Sequence, residues 1–348
     1  MSTVTTVLGE IDARELGVVL PHEHLLIDLR SLVNKPDPKD HPEFYEKLNI
    51  TNLFRIKADP YALEDNALLD SVDIAVEEMI AYRNAGGRSV ADVTLRSIGR
   101  DPLKLREISQ RSGVHIVMGC GQYIGAAHEE KVHGVTEKEL AAEIVKEIRV
   151  GTDGTDVRAG VIGEIGTSEE ISSDEMKCLR AAGIAAAETG KSVQVHTALF
   201  ERNGHRVLDE LFAIGVKPRQ IAIDHVDAKT QADYVLSLLD RGVYVEFDNF
   251  GKEFQVPKDS KVLKSSFDYD RVRVDSLARM CEAGHGDRVL AANDICLKSM
   301  LRRYGGGGYG YLLEGIVPMM RDRGLTEKQI ENILVNNPRR FLSGEEGQ

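Results

Sequence analysis

The chain has 348 residues, 42% hydrophobic and 29% charged, with a formal net charge of −12. That length can bury a large core and suits one decorated α/β domain, while the acidic balance and the lack of a basic run argue against nucleic acid or an anionic membrane surface as partner. Four cysteines without a CxxC pair, no secretory leader and no apolar run of spanning length point to a soluble cytoplasmic protein with reduced thiols.

In chain order, apolar runs bounded by turn residues predict strands over 17–24, 88–94, 114–119, 160–165, 192–197, 220–226, 243–248 and 288–294. Amphipathic patterns between and after them predict helices over 70–85, 101–111, 136–149, 174–188, 204–214, 230–241, 268–283 and 309–322. Thr136 with Glu139 reads as a capping box, and Asp101 precedes Pro102 at a first helical position. Strands alternating with helices eight times predict a single (β/α)8 TIM barrel over residues 1–348. Residues 30–69 and 249–267 do not fit the repeat and are expected as insertions at the barrel mouth. Residues 326–335 predict a C-terminal helix, and 343–348 a frayed tail.

Six residues of metal-ligand type close these runs. His22 and His24 end the first, at i, i+2 spacing that puts both imidazoles on one face of a strand. Glu164, His196, His225 and Asp294 end the fourth, fifth, sixth and eighth. A lone His-x-His is weak evidence, and any one strand-end His or Asp is more often a hydrogen-bonded structural residue. All six in phase with the βα repeat would converge on the mouth of a barrel, which points to a polynuclear metal site and a hydrolase.

Pro21-His22-Glu23-His24, Gly163-Glu164-Ile165-Gly166-Thr167, His196-Thr197, Asp224-His225 and Asn293-Asp294, with the closing Asn337-Pro338-Arg339-Arg340-Phe341, resemble the phosphotriesterase-like branch of the amidohydrolase superfamily. The resemblance spans about residues 5 to 342. It implies two divalent ions, expected as zinc, with His22, His24 and Asp294 on the more buried ion and His196 and His225 on the other. The bridging position, a carboxylated lysine in the best-known members, is Glu164 here, as in the phosphotriesterase homology subgroup; a glutamate is already an anion and needs no carbon dioxide.

A hydroxide between the ions would be the nucleophile, and Asp294, both ligand and proton acceptor, is the expected catalytic acid/base. In the organophosphate-hydrolysing members a relay histidine follows strand seven and an aspartate lies three residues after the strand-six histidine; here these positions are Asn249 and Ala228. Gly121-Gln122-Tyr123-Ile124 is similar to the lactonase segment that carries an active-site tyrosine, so Tyr123 is expected at the substrate carbonyl. The expected activity is therefore hydrolysis of a lactone or carboxylic ester. Organophosphate hydrolysis and a non-catalytic binding barrel are the alternatives. Lys252, Lys298, Arg302 and Arg303, beside Gly305-Gly306-Gly307-Gly308, are expected to bind a phosphate or carboxylate on a small-molecule substrate, although loop charges are often merely solvated. A homodimer is the expected assembly.

Overall fold

In the computed structural model, residues 2–256 and 265–345 are described. Part of the insertion expected over 249–267, and the end of the expected tail, therefore lie outside the described residues. Eight parallel strands follow one another around the sheet in sequence order. They are β1 (Val19–Glu23), β2 (Ser89–Asp92), β3 (His115–Cys120), β4 (Val161–Gly166), β5 (Val193–His196), β6 (Ile221–Ile223), β7 (Tyr244–Phe247) and β8 (Val289–Ala291). Helices α1 (Val72–Asn84), α2 (Pro102–Ser112), α3 (Glu137–Arg149), α4 (Ser173–Thr189), α5 (Gly204–Ile214), α6 (Ala232–Leu239) and α7 (Asp270–Glu282) separate them. After β8 a π-helical turn over Leu312–Ile316 leads into α8 (Val317–Asp322). This is the (β/α)8 barrel that the alternation predicts.

Local chemistry explains the boundaries. Thr136 and Glu139 form the reciprocal capping box that starts α3, and Asp101 accepts from the Lys104 amide to start α2. Alternation along the strands separates two apolar layers. Val193 and Val195 join the large core between strands and helices, while Val19, Ala91, Val117, Val161, Ala222, Tyr244 and Leu290 form a second cluster with Val4, Leu16 and Phe341. That cluster fills the end of the barrel where the strands start. An N-terminal hairpin, Thr3–Thr6 with Gly9–Asp12, and the closing helix Asn337–Ser343 pack on it. The hairpin was not expected; its strands are four residues each, too short to stand out in the sequence.

The opposite end carries the insertions. Residues 30–69 hold a short helix, Leu53–Ala58, and Leu68–Leu69 of this segment pairs with Ile27–Asp28. No ladder bond joins β8 to β1 among the described residues. The carboxylate of Glu23 spans that seam instead, accepting from the amides of Asn293 and Ile295 at 2.8 Å each. No helix among the described residues is long and apolar enough to cross a membrane.

Candidate metal centre

The six strand-end residues meet in space. Glu164, buried in β4, is the hub: its Oε1 lies 3.3 Å from His24 Nε2, and its Oε2 lies 2.9 Å from His196 Nδ1, 3.5 Å from His225 Nε2 and 3.6 Å from His22 Nε2. Asp294 Oδ1 lies 3.1 Å from His24 Nε2 and 4.0 Å from His22 Nε2. Five of the six donors fall into two overlapping groups, His22-His24-Glu164 and Glu164-His196-His225, each with its atoms within 4.8 Å of one another, and Asp294 lies beside the first. One carboxylate belonging to both groups is the arrangement a bridging ligand needs.

The backbone is bent to present them. His225 and Asp294 have φ of 61° and 46°, the left-handed region that non-glycine residues seldom adopt. Buried carboxylates hold both bends: Asp248 Oδ2 accepts from the His225 amide at 2.9 Å, and Glu23 takes the amides either side of Asp294. Gly163 is required before the hub. A Cβ there would meet the Gln194 carbonyl oxygen at 2.4 Å, so only glycine lets β4 approach β5 this closely.

Hydrogen bonds select the ring nitrogens. His225 Nδ1 donates to Asp248 Oδ1 at 2.9 Å, and His24 Nδ1 pairs with Thr94 Oγ1 at 2.9 Å, which turns the Nε2 lone pairs of both into the site. His22 is fully buried, yet neither of its nitrogens has a hydrogen-bond partner. Buried polar atoms are seldom left so, and divalent ions would satisfy them. The donor set of imidazoles and carboxylates suits zinc and its first-row neighbours.

Burial opposes charge on Glu164, but His22, His196 and His225 outweigh it and hold the carboxyl well below the usual range. Asp294 is likewise held low against burial, chiefly by Lys252 and then by His24 and His22. Burial also opposes charge on His24, but hydrogen bonds to Asp294 and Glu164 bring its imidazole up to about 9. Burial pushes the Tyr123 hydroxyl well up, with Glu164 adding to it, so it stays protonated. Burial raises the Cys296 thiol to about 12, which removes it as a thiolate nucleophile.

A cavity of about 80 Å³ opens over the donors. Tyr61, Leu199, Phe254, Phe267 and Leu297 wall it, and among the described residues Lys252 is the one lysine or arginine that lines it. A larger cavity of about 420 Å³ lies beyond Phe254 but contains none of the six donors, so it is not the reaction site.

The other expected site residues divide. Tyr123 lines the small cavity with its hydroxyl 3.4 Å from His196 Nδ1, and His128 Nε2 donates to the Tyr123 carbonyl at 2.8 Å. Lys252 lines it too, in an ion pair with Asp294. Lys298, Arg302 and Arg303 are not brought to the donors. Lys298 is tied to Asp65 of the first insertion at 2.9 Å, Arg302 to Glu314 at 3.2 Å and Arg303 to Glu77 of α1 at 3.0 Å. Each has a carboxylate partner that holds it apart from the donors.

Sequence reasoning missed the carboxylates behind the histidines: Glu23, Asp224, Asp227, Glu246 and Asp248, all fully buried. For three of them the available signal was adjacency, of Glu23 to His22, Asp224 to His225 and Asp248 to Asn249. Asn249 itself is buried, its Nδ2 donating to Asp227 Oδ1 and Asp248 Oδ1 at 2.7 Å each. Burial pushes the Asp224 carboxyl well up and raises Glu246, while Asp248, though buried, is kept low by His225.

Known proteins resemble this chain along its length. The profile of the phosphotriesterase family matches residues 2–342. An N-acetyltaurine hydrolase of Tetraodon nigroviridis is 36% identical over 344 residues, covering 98% of this chain and 97% of the relative. The crystal structure of a resiniferatoxin-binding protein from Rhodobacter sphaeroides superposes with a TM-score of 0.95 at 36% identity, covering 100% of this chain and 97% of that one. The phosphotriesterase homology protein of Escherichia coli, complexed with phosphate in its active site, gives a TM-score of 0.78 at 31% identity, covering 95% and 100%.

Proposed function

The chain belongs to the phosphotriesterase family and is a hydrolase, and from that premise we propose that it cleaves the amide bond of a small N-acylated amine bearing one anionic group, with N-acetyltaurine as the model substrate. One observation carries this reading: among the described residues, the small cavity lined by five of the six donors is otherwise apolar except for two tyrosines and one cation, Lys252. A compact acyl group suits the aromatic wall, and one sulfonate or carboxylate suits one ammonium. The carbonyl electrophile expected from the sequence is retained, but the leaving group becomes an amine instead of an alkoxide, as in the hydrolase relatives.

His22, His24, Glu164, His196, His225 and Asp294 would hold two divalent ions. When bound, the ions supply a Lewis acid and lower the pKa of water so that a nucleophile exists at neutral pH. Asp294, kept anionic by its neighbours, takes the proton of the attacking water on its carboxylate and passes it to the amine nitrogen as the C–N bond breaks. Tyr123, kept neutral, donates its hydroxyl proton as a hydrogen bond to the carbonyl oxygen as charge builds there. Lys252 anchors the anionic end, and Tyr61, Phe254 and Phe267 keep bulk water from the reacting atoms.

Release of taurine from N-acetyltaurine by zinc-loaded protein tests the proposal, against simple lactones, phosphorylated sugar lactones and a phosphotriester in parallel. The expected result is the highest kcat/KM on the N-acyl amine, lost on chelation. A lactone or phosphotriester hydrolysed faster than every N-acyl amine would overturn it.

A further inference from the structure

Behind the donors, the ring of His22 faces a second and different environment. Its Nδ1 lies 3.6 Å from Asp224 Oδ2, 3.7 Å from Glu246 Oε2 and 3.7 Å from Asp248 Oδ2, while its Nε2 looks toward Glu164 and Asp294. All four side chains are fully buried. Neither oxygen of Asp224 has a hydrogen-bond partner, and Oε1 of Glu246 has none either; Oε2 receives only Gln194 Nε2, at 2.9 Å. Asp248 differs, because it is already committed to His225 and Asn249. Asp227, the next acid along, has Arg273 as its own counter-ion at 3.3 Å. Asp224 and Glu246 thus place carboxylates inside the barrel that face the His22 ring and have no lysine or arginine partner among the described residues. A fold gains no stability from such groups.

We infer that Asp224 and Glu246 are the counter-charge of the metal centre, and that they position and polarise His22 from behind so that its Nε2 is a stronger donor. The inference rests on the metal-dependent reading above. Two divalent ions with Lys252 bring five positive charges, and Glu164, Asp294, Asp224, Glu246 and Asp248 bring five negative ones, all within one buried cluster. Without Asp224, Glu246 and Asp248 the cluster would carry a large excess of positive charge away from water. With all three present and the ions absent, the carboxylates outnumber Lys252 and lean on the imidazoles. A carboxylate behind a ligating imidazole raises its basicity, and loss of such a partner typically weakens metal binding about 10–100-fold.

A positioning role of this kind makes two measurements move in opposite directions, which a packing role does not. Asp224→Asn and Glu246→Gln, on different strands and nearly isosteric with the native residues, are compared with the wild type for zinc affinity, by competition with a chromophoric chelator, and for the melting temperature of the metal-free protein. Each variant is expected to bind zinc about 10–100-fold more weakly while the metal-free melting temperature stays level or rises. Zinc affinity within about threefold of wild type in both variants would overturn the inference and leave the hydrolase reading intact. So would a fall in metal-free melting temperature that accompanies the loss of affinity, or a variant that does not fold, because both assign the acids to the fold itself. A wild type that binds no zinc would overturn the inference together with the metal-dependent reading.

Discussion

The ammonium of Lys252 rests on the carboxylate of Asp294 inside the small cavity, with both residues almost closed to solvent. In the metal-free chain each is the other's neutraliser. Metal bound to Asp294 would release the lysine for a substrate anion. Lys252→Met is therefore expected to lower kcat/KM for N-acetyltaurine by about 1.5–3 kcal/mol, chiefly through KM, the range for a charge-assisted hydrogen bond. A neutral N-acyl amine should be spared. Arg302→Ala and Arg303→Ala, in exposed ion pairs with Glu314 and Glu77, should leave both substrates unaffected. Steady-state kinetics on the two substrates separates these outcomes.

Glu164 contacts all four candidate histidine ligands, so Glu164→Ala should lose metal and activity together. Because the bridging group is a native carboxylate, the wild type should load fully in buffer stripped of carbon dioxide. Metal analysis after dialysis checks both; a requirement for added bicarbonate would refute the bridging role.

His24 sets a pH dependence for the metal-free chain. Its folded value of about 9 lies above the ordinary 6.5, so the protonated ring favours the folded state. The stabilisation, on the order of 3 kcal/mol, is complete below pH 6.5 and is lost as pH rises through 9. Calorimetry of chelator-treated protein should show the melting temperature falling across that window. Zinc affinity should rise across the same window, because zinc needs the neutral ring.

Arg100 forms a buried ion-pair cluster away from the donors. Its guanidinium, 1% exposed, meets Glu147 at 2.7 Å and Asp153 at 2.9 Å and donates to the Gly119 carbonyl at 3.1 Å, tying α3 to the end of β3. Arg100→Met should destabilise the fold by about 3–5 kcal/mol by stranding two carboxylates. Urea denaturation measures it; a change below about 1 kcal/mol would show that the pair is dispensable.

The barrel and the convergence of its six candidate ligands were legible because two periodicities reinforce each other. Alternation within Val193-Gln194-Val195-His196 assigns one face to the helices and the other to the interior, and recurrence of a ligand at successive strand ends assigns the mouth. Asp224 and Glu246 were not legible in the same way. An acid in a strand reads alike whether it faces water or a metal centre, and only three-dimensional placement shows that these two face His22. The direction of loop cations was equally hidden. Arg303 finds Glu77, 226 positions away, and no local pattern encodes that distance. Lys252, expected together with Lys298, Arg302 and Arg303 to bind an anion, parts from them only when Asp294 is found beside it.

The Glu23 carboxylate that spans the seam between β1 and β8 also orders events in time. It joins residues 270 positions apart, and the same contact aims Asp294 beside His24. Synthesis runs from the N-terminus, so His22 and His24 emerge long before their carboxylate partner on β8 exists. A chain that ends before β8 has five of the six candidate ligands but neither Asp294 nor the Glu23 contacts that close the barrel, and contacts of this sequence separation form slowly. Capture of metal by all six residues would therefore report a finished chain, and a ribosome-bound fragment ending before β8 is expected to bind zinc more weakly than the released protein.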